Sequence, residues 1–368
     1  MQTPRDAKAY WLITLSAAAV LMITMGARQS MGLFVSPINT TTGLGLATIS
    51  LALAVSQFVW GAIQPVAGAV ADRYGPGRVL AAGIVLLAIG TAVIPFMESG
   101  IGMIFAIGLL SAAGAGAGSF SVLIGAASQR LPLEGRGMAS GIINAGGSFG
   151  QFVFAPLLQK LISVFGWMGA LWSMALITLA ALPLTRGLRG QPKPAAVAGA
   201  PAEQTLKAAM REAFGDRSYL LLHAGFFTCG FHIAFLVTHL PGEVAFCGLP
   251  ADVASWSLAL IGLANIAGSL YAGWSVQSYR SKMVLFWMYA SRALLVILYL
   301  MAPKTAMTFY IFAIGLGFTW LATVPPTATL VGKLFGTRYL STLFGMTLLS
   351  HQIGGFLGAY LGGLAFVG

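Results

Sequence analysis

Long apolar runs separated by short polar ones set the pattern of this chain. Predominantly apolar stretches of about 18 residues or more, enough for a helix to cross a hydrocarbon core of about 30 Å, fall at 11–37, 47–71, 79–97, 101–127, 137–160, 166–185, 218–241, 252–276, 283–302, 306–330 and 340–366. In lipid a backbone must satisfy its own hydrogen bonds, and runs of this length do so as helices. The pattern predicts an all-α polytopic membrane protein whose spans are numbered helix 1 to helix 11. The first run is too long for a secretory signal and no small-residue cleavage site follows it, so it counts as a span.

Composition agrees with that reading. Of 368 residues 58% are apolar and 8% charged, with mean hydropathy +0.86, against roughly 25% charged in soluble domains. A net charge of +11 would suggest nucleic acid in a soluble chain, but the positions of the basic residues give it another meaning. Arg5, Lys8, Arg73, Arg78, Arg130, Arg136, Arg186, Arg189, Lys193, Lys207, Arg211, Arg217, Arg280, Lys282, Lys333 and Arg338 fall in the N-terminal tail and every second loop. Only Lys160 and Lys304 occupy the alternate loops. The positive-inside rule then places the N-terminus in the cytoplasm. The partner this charge reports is a lipid bilayer, with no nucleic acid.

The polar stretch 187–216 reads as a Pro/Ala/Gly linker ending in a segment able to lie on the membrane as an amphipathic helix. It divides the chain into a six-helix bundle, 1–186, and a second bundle, 217–368, with five helices. Shifted by 205 positions, AGWSVQSYRSKMVL (272–285) falls over AGAVADRYGPGRVL (67–80), each closing an even-numbered helix on the cytoplasmic side. Two related helical units joined by a cytoplasmic linker suit a parallel-repeat transporter with its substrate site between the halves.

Two cations, Arg28 in helix 1 and Arg292 in helix 9, lie inside predicted spans, whereas all acids lie in tails, loops or helix ends. An intramembrane Arg costs at least about 2.5–3.5 kcal/mol and faces a cavity or a partner. With no internal counter-ion, the natural partner for Arg28 is an anionic ligand, since a guanidinium holds a carboxylate through two parallel hydrogen bonds. Its bland alternative is to tie neighbouring carbonyls. Arg292 is an equally open case between a site residue and a strut reaching helix 8 carbonyls. His232 and His351 are the proton-coupling candidates, because His titrates near neutral pH and no carboxylate is available. The 205 shift sets His232 opposite Ala27, beside Arg28, as if both faced one cavity. Gln29, Ser121, Asn144, Gln151, Trp320 and Gln352 could line it, with Ser119, Ser148, Asn265 and Thr323; each could equally be an interhelical hydrogen bonder. His232 and His239 lie about 10 Å apart along a helix axis, too far for joint ligation, so neither a metal nor another cofactor is expected. Cys229 and Cys247 sit at different depths and predict no disulfide.

The segment Gly68-Ala-Val-Ala-Asp72-Arg73-Tyr-Gly75-Pro-Gly77-Arg78 resembles the loop 2–3 signature of the major facilitator superfamily. This resemblance implies a major facilitator fold of two six-helix repeats, so a twelfth helix is expected and is missing from the pattern. It also implies that Asp72, Arg73 and Arg78 form a cytoplasmic gate, a charge lock that breaks and re-forms during alternating access. The segments GARQSMGLFVSPI (26–38), FHIAFLVTHLP (231–241) and SHQIGGFLGAYLGG (350–363) are similar to the monocarboxylate and oxalate/formate transporter branch, and the whole chain resembles bacterial YcxA-like permeases. That branch implies a bacterial-type inner (plasma) membrane and a secondary transporter of small organic anions, monocarboxylates above all, coupled to protons. The helix 1 Lys of monocarboxylate transporters falls at Gln29, the helix 11 Lys of oxalate/formate exchangers at His351, and their helix 8 Arg has no counterpart. A drug-efflux permease would be expected to carry an acid in helix 1 or 4, and none is there. An enzyme lacks a nucleophile–base pair, and a non-transporting sensor would need an appended domain.

Overall fold

The computed structural model describes residues 4–189 and 204–367. Nine helices in it are long and apolar enough to cross a membrane. One of these, Leu133–Leu188, leaves helical geometry at Gly166 (φ 69°) and makes two antiparallel spans, and a further long apolar helix runs Leu340–Val367. The spans are α1 (Ala7–Thr42), α2 (Leu46–Tyr74), α3 (Pro76–Phe96), α4 (Gly100–Arg130), α5 (133–165), α6 (167–188), α7 (Arg217–Phe246), α8 (Ala251–Ser278), α9 (Ser281–Met301), α10 (Ala306–Phe335) and α11 (Leu340–Val367). They follow the eleven apolar runs in order. Of the expected linker, residues 190–203 lie outside the described residues, and Leu206–Gly215 is a short helix capped by the Thr205 hydroxyl.

Alternate ends of the spans collect on one side, the basic face, where α2 turns into α3. Gly75 takes φ 96° there, a conformation that suits glycine, and Pro76 starts α3 where its missing N–H is no loss.

Glycines bring the helices together in the same way in both sets. A Cβ on Gly146 or Gly150 of α5 would strike the Ala18 or Met22 carbonyl of α1; one on Gly354 or Gly358 of α11 would strike the Phe227 or Phe231 carbonyl of α7. Small residues let backbones approach in lipid, where the hydrophobic effect gives helices no reason to associate.

The two sets meet along α2 with α11 and α5 with α8. Gly68 and Gly125 leave room for Ser341, Gly61 for Gln352, and Gly141 and Gly273 pack against each other. Hydrogen bonds joining the sets run from mid-depth to the basic face. Asn144 Nδ2 donates to Ser269 Oγ at 2.7 Å, Asn265 Nδ2 to Ser148 Oγ at 2.5 Å, and Gln129 Nε2 to the Thr337 carbonyl at 3.2 Å. Gln57 is exposed although it lies mid-depth with partners on α1 and α11, so it borders open space between the sets. The basic face is the closed side.

Among the described residues two spans leave helical φ/ψ near mid-depth, one in each set. α4 breaks at Gly118 and Ser119, and α10 at Trp320. Backbone groups freed in lipid need side-chain partners, and they have them. Thr24 Oγ1 donates to the Gly118 carbonyl at 2.9 Å; the Leu321 N–H donates to Asn265 Oδ1 at 2.9 Å, and Asn144 Nδ2 to the Leu321 carbonyl at 2.8 Å.

Candidate functional site

Arg28 closes the α-helical part of α1, at the step into a 3-10 turn over Ser30–Phe34. Its Nη2 donates to Gln57 Oε1, its guanidinium lies 4.2 Å from the Trp60 ring centroid, and its Nε has no partner. Gln57 Nε2 donates in turn to Gln352 Oε1 at 2.9 Å, and Gln352 Nε2 lies 3.4 Å from His351 Nδ1. A polar chain thus crosses from the first set to the second through α1, α2 and α11. The structure links Arg28 to Gln352 and His351 through Gln57, which the sequence reading passed over, as it did Trp60 beside Arg28. The signal for them was Ser56-Gln57 and Trp60 inside an otherwise apolar run.

His351 is buried at 7% exposure against the Phe226 ring, and its Nε2 has no hydrogen-bond partner. His232 is elsewhere. It is exposed on an open groove of about 610 Å³ between α7 and α9 that Phe231, Phe235, Tyr289 and Val296 also line, rather than beside Arg28. In the first set α6 packs over α1 and α3, where Trp172 Nε1 donates to the Ala92 carbonyl.

Arg292 is 2% exposed and reaches α10, not α8. Its Nη2 donates to the carbonyls of Thr319 and Trp320, its Nε to Thr319 Oγ1 at 3.3 Å and its Nη1 to Cys229 Sγ at 3.2 Å. A cation at the carbonyl end of the first half of α10 matches the helix dipole, so Arg292 braces the break.

The remaining candidates divide. Asn144, Ser148 and Asn265 join α5, α8 and α10. Ser121 donates to the Gln64 carbonyl at 3.5 Å, and the Ser119 hydroxyl is buried without a hydrogen-bond partner. Trp320 supplies its carbonyl to Arg292, and Thr323 lies 3.5 Å from Cys229. Gln29 is half-buried and Gln151 exposed.

At the basic face Asp72 is 6% exposed and locks onto the start of α11. Its Oδ2 accepts from the Thr342 N–H at 2.9 Å and the Thr342 hydroxyl at 2.7 Å, and its Oδ1 from Gln129 Nε2 at 3.1 Å. The first N–H groups of a helix are unsatisfied and carry positive potential, so the carboxylate pairs with a helix end where a charge lock to arginine was anticipated. Arg73 and Arg78 stay exposed, Arg73 over the Tyr74 ring.

The Major Facilitator Superfamily profile matches residues 17–359. This chain belongs to that superfamily. It is 26% identical over 378 residues to monocarboxylate transporter 13 of Rattus norvegicus, covering 98% of this chain and 83% of the relative. It is 24% identical over 366 residues to the oxalate:formate antiporter of Oxalobacter formigenes, covering 96% and 84%, and 23% identical over 373 residues to the MFS-type transporter YcxA of Bacillus subtilis (strain 168), covering 97% and 88%. Among solved structures, the proton:xylose symporter XylE bound to 6-bromo-6-deoxy-D-glucose superposes with a TM-score of 0.73 at 13% identity, covering 98% of this chain and 89% of that one. The all-α fold is therefore the superfamily's. The protein is a multi-pass membrane transporter and not an enzyme.

Proposed function

We propose that this transporter carries small organic anions, monocarboxylates first among them, by alternating access with proton coupling, across a bacterial-type plasma membrane with the basic face in the cytoplasm. One observation carries the reading. Arg28 lies mid-depth beside open space, is met by a neutral glutamine and an indole ring instead of a carboxylate, and has an N–H to spare. A carboxylate replacing Gln57 would supply the missing charge and take the free donor. Trp60 and Gln352 would border the organic part, and His351, joined to Gln352, would exchange the proton. The chain's relatives include proteins named for monocarboxylate and for oxalate:formate transport, which supports the anion class without fixing the substrate.

Proteoliposomes offered a panel of labelled monocarboxylates should accumulate at least one of them when an inward proton gradient is imposed. Arg28→Ala should lower uptake at least about a hundredfold, the scale of a lost charge-assisted pair of about 3 kcal/mol, while Arg28→Lys should retain part of it. Unchanged anion uptake in properly inserted Arg28→Ala would remove Arg28 from the site.

A further inference from the structure

Arg28 Nη2 is taken by Gln57, while its Nε is buried and has no partner. Nε and Nη2 lie on one edge of the guanidinium, an edge that can grip a carboxylate side-on through two parallel bonds. Inside the first set, against Arg28, lies a recess of about 10 Å³, the room of about one water-sized group. Two buried hydroxyls line it with Arg28. They belong to Thr91 of α3 and Ser111 of α4, 0% and 6% exposed, and neither has a hydrogen-bond partner. A hydroxyl in a helix can donate to a carbonyl one turn back, as Thr178 does to Met174 at 2.8 Å and Thr327 to Thr323 at 2.7 Å. Thr91 and Ser111 forgo that bond. A buried polar group left unpaired is destabilising and asks for a partner; here three groups able to donate line one recess, and no acid lines it.

Two local departures build the recess. α4 winds as a π-helix over Ile104–Ser111, a rare form that is frequent at functional sites, and Ser111 closes that stretch. On α3 Gly90 precedes Thr91, and a Cβ on it would strike the Ser111 backbone N and Oγ, so the two helices come close where the two hydroxyls stand.

We infer that Thr91 and Ser111 complete the carboxylate site: one oxygen of the anion takes Arg28 Nη2 in place of Gln57, and the other enters the recess, where it accepts from Nε and from both hydroxyls. The inference rests on the anion reading above and adds to it a seat for the second oxygen. Leu87 and Ile107 wall the recess, so it takes a single oxygen, and the organic part of the anion stays on the Gln57 side.

Formate, acetate, lactate and pyruvate, each labelled, are the probes, and the one that the parent accumulates best in proteoliposomes is carried through the variants. Thr91→Val and Ser111→Ala should each raise its half-saturating concentration about tenfold, the scale of a lost hydrogen bond to a charged group, with the maximal rate changed by less than about twofold. Thr91→Ser, which keeps the hydroxyl, should stay near the parent. Without ligand, Thr91→Val and Ser111→Ala should unfold in detergent at or above the parent's temperature, because each removes an unpaired buried group. A half-saturating concentration equal to the parent's in both variants means that the recess holds water only and overturns the inference. A fall in unfolding temperature that accompanies the loss of uptake also overturns it, since the hydroxyls would then hold the bundle and not the anion. Loss of uptake in Arg28→Ala with both hydroxyl variants unchanged leaves the anion reading standing without this seat, whereas a parent that accumulates none of the probes overturns both.

Discussion

At the scale of single residues, Arg28 rests on an amide and an indole ring, and Arg292 on the carbonyls of a broken helix. Arg28 stood out because an arginine in a span needs a reason, and it does border the space between the sets. Gln57 did not stand out, since a neutral amide in an apolar helix is usually an interhelical bonder. His232 shows the limit. A fixed shift between repeats aligns depth along a helix, but not which neighbour a side chain meets, and α7 turns His232 to the α9 groove. Arg292 was an even choice for the same reason: the Thr319 and Trp320 carbonyls it meets are free only because α10 breaks. The Arg28–Gln57 pair makes its own prediction. Gln57 occupies Arg28 Nη2 in this state, so an anion must displace it. Gln57→Leu should tighten anion binding by about fivefold, about 1 kcal/mol for a hydrogen bond no longer in competition, measured by titration calorimetry on the purified protein. Weaker binding would instead make Gln57 a ligand of the anion.

At the scale of elements, nearly all of the helical plan could be read from the sequence, because eleven apolar runs each demand a helix in lipid. What it did not yield are the interruptions in α4 and α10. Gly118-Ser119 lies in a glycine-rich run that reads equally as close packing, and the signal at α10 that the sequence reading passed over is Pro325-Pro326, which give no N–H to the Leu321 and Ala322 carbonyls one turn back. Those breaks persist because side chains from other helices satisfy them. Asn265, like Asn144, serves three spans, accepting from the Leu321 N–H of α10 and donating to Ser148 of α5 from its own place on α8. Asn265→Leu should therefore leave a buried N–H and a buried hydroxyl short of partners, costing about 1–3 kcal/mol. The apparent unfolding temperature in detergent should fall by several degrees, whereas Gln151→Leu, on an exposed position of α5, should not move it. Equal shifts for the two would mean that Asn265 does not hold the break.

At the scale of the whole molecule, the two sets are closed on the basic face, and what closes them is a carboxylate on a helix start. Asp72 sits at the end of α2 and its oxygens reach the Thr342 N–H and hydroxyl at the beginning of α11, with Gln129 of α4 alongside. The motif around Asp72 suggested a gate from sequence. Its partner could not be read there, because a backbone N–H has no signature in side-chain identity. Closure of this kind must break for the basic face to open, so its strength sets the balance between states. Asp72→Asn keeps the shape but removes the charge from the positive end of α11, worth about 0.5–1 kcal/mol, which is about a two- to fivefold shift toward opening. Ser341 reports it, being 1% exposed and wedged against Gly68 and Gly125. With Ser341→Cys in the Cys247→Ser background, labelling by a membrane-impermeant maleimide from the basic face should quicken about two- to fivefold on adding Asp72→Asn. Thr342→Val should act in the same direction, and the two together should fall short of additive because they remove one contact. Arg73→Gln should leave the rate unchanged, since that side chain stays in solvent over Tyr74. Acceleration by Arg73→Gln as large as by Asp72→Asn would restore the arginine lock in place of the helix-start one.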